Sequence, residues 1–358
     1  MRKRKPITLL FAASLLLSAI GTSVARLAAP VPQDAQMPER QYGPLRMNVG
    51  RGVKITLGNR TTGRITVNGW DRDVIEAHSV SERGNEVVIA RRSSPSSAVL
   101  LKADYADLDQ PAAPTSRVDA PPVVAGKTLQ VHLEVNVPRY TEIELIEVRR
   151  SDVQVSGVET PITVSGAQSS VILKQVGAVV VQTRSGDVEV EEANGSVEVS
   201  TTSGAVRVHN ARGMVRVVSI TGPIEVKCAR DRIDVANTEA PIELVNIDGD
   251  VDAIATNSSV RFTGRLREEG RYYLKSLSGR VEMILPANTN GFNATLSSYR
   301  GLIETDFKLT AKQSASDAIQ SRRRAGSFGN GKAQITLDSF EGFVRLTKVV
   351  PGSMPGCK

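Results

Sequence analysis

The chain has 358 residues, with 45 Lys and Arg against 38 Asp and Glu, a formal charge of +7, and two cysteines. That length holds a sizeable core, and two cysteines exclude a small disulfide framework. Four of the excess positive charges sit in Arg2, Lys3, Arg4 and Lys5, which leaves +3 for the rest and no charge argument for nucleic-acid binding.

Those four residues precede an apolar run, Ile7 to Ile20, and a small-x-small site at Ser23-Val24-Ala25. The pattern predicts a cleaved export signal over 1–25. The apolar run is too short for a comfortable membrane span, so no integral span is expected in the mature chain. No Cys follows the run, so no lipid anchor is expected there. Residues 26–42 are rich in Pro, Ala and Gln and read as a linker. Strand patterns with uneven spacing follow over 43–92, including Ile65-Thr66-Val67 and Val87-Val88-Ile89, and predict an N-terminal β cap. Trp70, the single tryptophan, sits in a turn there and is expected to pack over the first coil. Residues 93–126 carry five prolines and many alanines and read as a flexible insertion.

From Asp152 to Phe262 the sequence repeats. Apolar–variable–apolar triplets begin at Val153, Ile162, Val171, Val179, Val188, Val197, Val206, Val215, Ile224, Ile233, Ile242, Val251 and Val260, nine residues apart except for one step of eight. Alternation puts the outer side chains of each triplet on one face, and turn pairs such as Ser203-Gly204 and Thr221-Gly222 separate them. A short strand and a corner at a fixed period predict a coil stacked on itself. The expected fold is all-β, a single-chain β-solenoid of nine-residue strand–turn repeats, with two strands per coil and irregular β caps. Two strands per coil would place Glu189 beside Arg207 and Glu225, and Glu198 beside Arg216 and Asp234; a three-strand coil makes nearly as many good pairs. The solenoid domain is assigned to 127–310, followed by a basic polar loop over 311–330, terminal strands over 331–350 and a tail over 351–358. Most aromatics lie in the last third and are expected to fill a wider terminal coil, with some exposed.

Four stretches carry a family likeness: Gly63 to Asp73, the serial Ser-Gly-x-Val-x-Val coils, Ser278 to Ala287 with Ile303 to Phe307, and Gly331 to Leu337 running to Leu346. In this order they resemble a bacterial family of exported β-solenoid domains with an adhesin-like label and no established function. The resemblance covers about 43 to 347. It implies the fold and supplies no catalytic residue to carry over. The insertion over 93–126 and the missing corner glycines near Asp231 and Ala240 depart from the pattern.

No catalytic, cofactor-binding or metal-binding residue is assigned. Asp248, Asp250 and Asp252 alternate about a corner glycine and could ligate calcium or serve a polysaccharide-cleaving β-helix, but turn aspartates plus one surface charge account for them. His78, His132 and His209 are far apart in sequence, without ligand spacing. Arg322, Arg323 and Arg324 read as a solvated basic run. A disulfide between Cys228 and Cys357 is open to an exported protein, but their contexts lead to the expectation of two unpaired thiols. No aromatic occurs from Ser151 to Arg261, so a ligand is expected on the C-terminal third or the loops. The function expected is a non-enzymatic exported envelope or surface module, adhesin-like, binding or spacing, without cofactor. Its partner would be an unidentified protein or polysaccharide of envelope, surface or matrix, and not nucleic acid. The alternatives are a carbohydrate-active β-helix and a periplasmic scaffold or envelope-signalling partner.

Overall fold

Each of the thirteen triplets lies in a strand, and all twenty-six outer positions are buried. Burying each Val or Ile is worth about 1.5–3 kcal/mol, so the repeat pattern itself builds the core. The computed structural model describes residues 39–42, 44–59, 62–81, 87–93, 98–105, 123–124, 127–128, 130–310, 322–349 and 356–357, all within the compact unit Pro38–Lys358. The expected signal over 1–25 lies outside them. Among the described residues there is no helix, and none long and apolar enough to cross a membrane.

Successive triplets alternate between a 15-stranded and a 14-stranded sheet. Ile162 pairs with Val179 and Val179 with Val197 in the first, while Val153 pairs with Val171 and Val171 with Val188 in the second, all parallel. The coil therefore has two strands, the expected number, which the charge columns alone left open. Glu189, Arg207 and Glu225 fall in register on one outer face, and Glu198, Arg216 and Asp234 on the other.

Both ends depart from chain order. The terminal strands Ala333–Ser339 and Val344–Val349 do not lie at the end of the stack. They insert between the coil of Arg271–Ser276 and Val281–Pro286 and the coil of Phe292–Ser298 and Ile303–Thr305. Beyond them Arg323–Phe328 adds an antiparallel strand to Phe292–Ser298, where a loop was expected. Exposed arginines suit a sheet edge, which charge protects from further pairing. At the other end Val131–Pro138 lies between Gly63–Trp70 and Val74–Ser81.

Two further boundaries are corrected. Glu39–Tyr42, at the end of the expected linker, pairs antiparallel with Val87–Ser93. Ala98–Tyr105, inside the Pro/Ala-rich stretch, pairs parallel with Lys54–Asn59 and buries Val99 and Leu101. At the C-terminal end Phe262 meets Tyr272 edge-on at 5.2 Å, and Phe307 meets Phe292 and Phe328 at 5.1 and 5.0 Å. These aromatics fill the core there, as expected.

Candidate functional site

The two sheets meet at two opposite edges, and the chemistry of the edges differs. Where the chain leaves the 15-stranded sheet, a buried polar residue precedes most turns, namely Thr183, Thr201, Ser219, Asn237, Ser276, Ser339 and Ser298, with Ala255 in this place on one coil. Most take the motif Ser/Thr-x-x-Gly, and the side chain satisfies backbone groups that burial would otherwise strand. The Ser276, Ser339 and Ser298 hydroxyls accept the N–H groups of Gly279, Gly342 and Gly301 at 2.8–2.9 Å. They donate to carbonyls of neighbouring coils, to Ser258, Gly279 and Gly342 respectively, at 2.7–2.9 Å. Glycine is required at Gly222 because a Cβ would stand 1.7 Å from the Gly204 carbonyl oxygen.

This edge is also where the apolar surface lies. Among the described residues eight large apolar side chains are exposed: Val218, Ile220, Ile254, Leu277, Tyr299, Leu302, Phe340 and Phe343. Leu277, Phe340 and Tyr299 occupy one rung position on three successive coils, set by the pairing of Ser276, Ser339 and Ser298. Arg280, Phe343 and Leu302 occupy the facing position beside them. Tyr299 and Phe340 stack 4.9 Å apart with planes 8° from parallel. Arg322 lies 4.8 Å over Tyr299, and Arg300 lies 5.6 Å over Phe340 while pairing with Glu341 at 2.7 Å. Val218 and Ile254 stand apart on the outer face of the 15-stranded sheet, in the column that Lys275 continues. An exposed apolar row of this kind is a candidate interaction site.

The opposite edge is polar. Gln175, Glu192, Asn210, Cys228 and Asn246 share one rung position on five successive coils. All five have φ between +52° and +56°, a left-handed conformation costing an L-residue roughly 1 kcal/mol. A second row, Glu159, Asn194, Arg212, Arg230 and Asp248, runs beside the first. Between the rows lie Ala193, Ala211 and Ala229, all buried, with Val176 and Ile247 at the ends. The alanines let the chain sit close to the core, so the edge is indented into a groove of 780 Å³. Cys228 is joined to Cys357 across it, with Cα atoms 5.6 Å apart. This corrects the expectation of two unpaired thiols. The left-handed corner carries the Cys228 side chain toward the groove and out of the core, where the C-terminal tail can reach it.

Residues 45–347 match one family model, Toastrack DUF4097. The chain belongs to that family. No curated protein is significantly similar to it. Solved structures similar to this Toastrack chain include a candidate cell adhesion protein from Clostridium sporogenes, at 8% identity and a TM-score of 0.22, over 87% of this chain and 100% of that one. Another is a candidate adhesin from Bacteroides fragilis, at 12% identity and a TM-score of 0.28, over 86% of this chain and 98% of that one.

The residues singled out in the Toastrack sequence do not converge. Asp248 lines the polar groove. Asp250 accepts the Arg271 N–H at 3.0 Å, and Asp252 stands on the outer sheet face in register with Asp234. Burial holds the Asp252 carboxyl above its usual range, Asp234 adds to this, and Arg232 opposes it. Among the described residues no group of three His, Cys, Asp or Glu could hold a metal ion. His78 approaches Glu134 at 3.5 Å, and His209 lies 4.0 Å from Glu225, held below its usual pKa by burial and by Lys227. His132 is exposed. Trp70 is half-buried, donates its indole N–H to the Val74 carbonyl at 2.8 Å, and lies under Arg72 at 4.9 Å. Of the arginine run, Arg322 stacks on Tyr299, while Arg323 and Arg324 are exposed on the edge strand. Neither groove nor apolar row was found by reading triplets and corner glycines. The signal was the residue just past alternate triplets, where Gln175, Glu192, Asn210, Cys228 and Asn246 recur at the coil period.

Proposed function

We propose that this Toastrack chain is an exported, non-enzymatic binding and spacer module of the bacterial cell envelope, and that it holds another protein through the apolar edge of its last three coils. The row of Leu277, Phe340 and Tyr299 carries this reading. Aromatic side chains and arginine are the residue types over-represented at protein interfaces, and here they are stacked on a rigid rung spacing. The stacked arginines leave little free ring face for a sugar, which favours a protein partner. The disulfide supports export, since such bonds persist in oxidising compartments.

A photo-crosslinking residue in place of Phe340, expressed in cells, tests the proposal. A discrete adduct with one envelope protein is expected, with none from Gln182, exposed in the middle of the same sheet. Failure of Phe340 to give any adduct above Gln182 sinks the reading. Protease treatment of intact cells then decides location: digestion places the module on the outer surface, and protection until the outer envelope is opened makes it a periplasmic scaffold.

A further inference from the structure

We infer that the polar groove is a second binding site, for an extended oligosaccharide bearing carboxylates. It lies on the edge opposite the apolar row and does not depend on how that row is used.

Three observations carry this. The first is conformational. Gln175, Glu192, Asn210, Cys228 and Asn246 all stand at positive φ, where glycine costs least. The chain does place glycine at this rung one coil earlier, Gly157 with φ +69°. The disulfide accounts for Cys228 and asparagine tolerates this region, which leaves Gln175 and Glu192 keeping a side chain there at the expense of strain, and strained non-glycine residues of this kind mark functional positions. The second is electrostatic. Arg212 and Arg230 are neighbours on adjacent coils, and like charges side by side oppose the stack. Among the described residues neither has a hydrogen-bonded or ion-paired side-chain partner, and the same holds for Glu192, Asn194 and Asn210. A ligand carboxylate would relieve the pair with two-pronged hydrogen bonds. The third is shape. The alanine floor spans three coils, and coils stack about 4.8 Å apart. That step is close to the length of one sugar ring in an extended chain and out of step with a peptide strand's rise of about 3.4 Å per residue.

The amides would donate to and accept from hydroxyls, while Arg212 and Arg230 take the carboxylate. Glu159, Glu192 and Asp248 offset the arginines, so the groove suits a chain with carboxylates at intervals over a dense polyanion or a neutral glucan.

The test is affinity electrophoresis of the intact, oxidised protein through gels containing hyaluronan, polygalacturonate, poly-glutamate or dextran. Hyaluronan, with a carboxylate on alternate sugars, is expected to retard the protein most. Arg212→Gln should weaken retardation about tenfold, as loss of a charge-assisted hydrogen-bond pair does. Glu192→Gly and Asn210→Gly test the strain argument separately. Both keep the left-handed corner while removing the side chain, so retardation should fall with no loss of thermal stability. Gln182→Ala, far from the groove, should change nothing. Retardation by none of the polymers, equal retardation by poly-glutamate or dextran, or retardation unaltered in all three groove variants would each overturn the inference. A fall in stability in both glycine variants would show that the rungs hold the stack together, and would overturn it too.

Discussion

The Asn237 side-chain amide donates to the Gly222 carbonyl of the preceding coil at 2.6 Å, and its oxygen accepts the N–H groups of Glu239 and Ala240 at 3.0 and 2.8 Å. One side chain thus replaces what Ser and Gly do together at other coils, which is why Ala240 needs no glycine. Asn237→Ala would leave the buried Ala240 N–H short of its partner and take one of two donors from the Gly222 carbonyl, while the Glu239 N–H keeps the Ile220 carbonyl. It is expected to cost about 1–3 kcal/mol, read as a lower urea midpoint with unchanged slope.

The disulfide spans 129 residues of sequence. In the chain-entropy picture, closing so long a loop restrains the unfolded state by roughly 4–5 kcal/mol as an upper figure. Reduction, or Cys357→Ser, is expected to lower stability by about 2–4 kcal/mol. In the unfolded, unreduced protein no thiol should react with a thiol reagent, whereas two should after reduction.

Asp252 stands beside Asp234 with one carboxylate oxygen buried and without a hydrogen-bond partner. Its pKa is raised on folding, so the native state binds the proton more readily than the unfolded chain. Stability therefore falls as pH rises from the ordinary carboxylate range through the raised value, and the penalty is fully present at neutral pH. Asp252→Asn should gain a few tenths to about 1 kcal/mol at pH 7. The gain should vanish in acid, below the unfolded pKa, when unfolding is followed across pH.

Arg216 is flanked in register by Glu198 and Asp234, and reaches Asp234 at 3.7 Å. Arg216→Glu would set three acids in a column. A loss of about 1 kcal/mol is expected at low ionic strength, recovering in high salt because these groups are exposed enough to be screened. A loss insensitive to salt would point to packing of the arginine stem.

The repeat made the central coils legible. Triplet spacing located the strands from Val153 to Phe262, and a two-strand coil then placed Glu189, Arg207 and Glu225 on one column. These features depend on neighbours one coil away, so a local period reveals them. Pairings set by distant segments left no such mark. Ala98–Tyr105 reads as loop among prolines until Lys54–Asn59 offers it an edge. Cys228 and Cys357 have no spacing that joins them. The groove depends on backbone conformation at Glu192 and Asn210, which neither residue type predicts. The apolar row was visible only as a surplus of aromatics, because Leu277, Phe340 and Tyr299 become neighbours through a coil inserted out of order.

That inserted coil sets a condition on how the molecule is completed. Ala333–Ser339 and Val344–Val349 come later in the chain than Phe292–Ser298 and Ile303–Thr305, yet they lie between two coils made before them. The stack cannot be finished by adding layers from the N-terminus. The coil of Phe292–Ser298 and Ile303–Thr305 has no inner parallel neighbour in its final place until residues 333–349 are docked. A chain cut short near residue 330 would lose an internal layer and the one above it, and with them the apolar row. Only a chain made through residue 349 can therefore present that surface, so the apolar row reports that the inserted coil is in place.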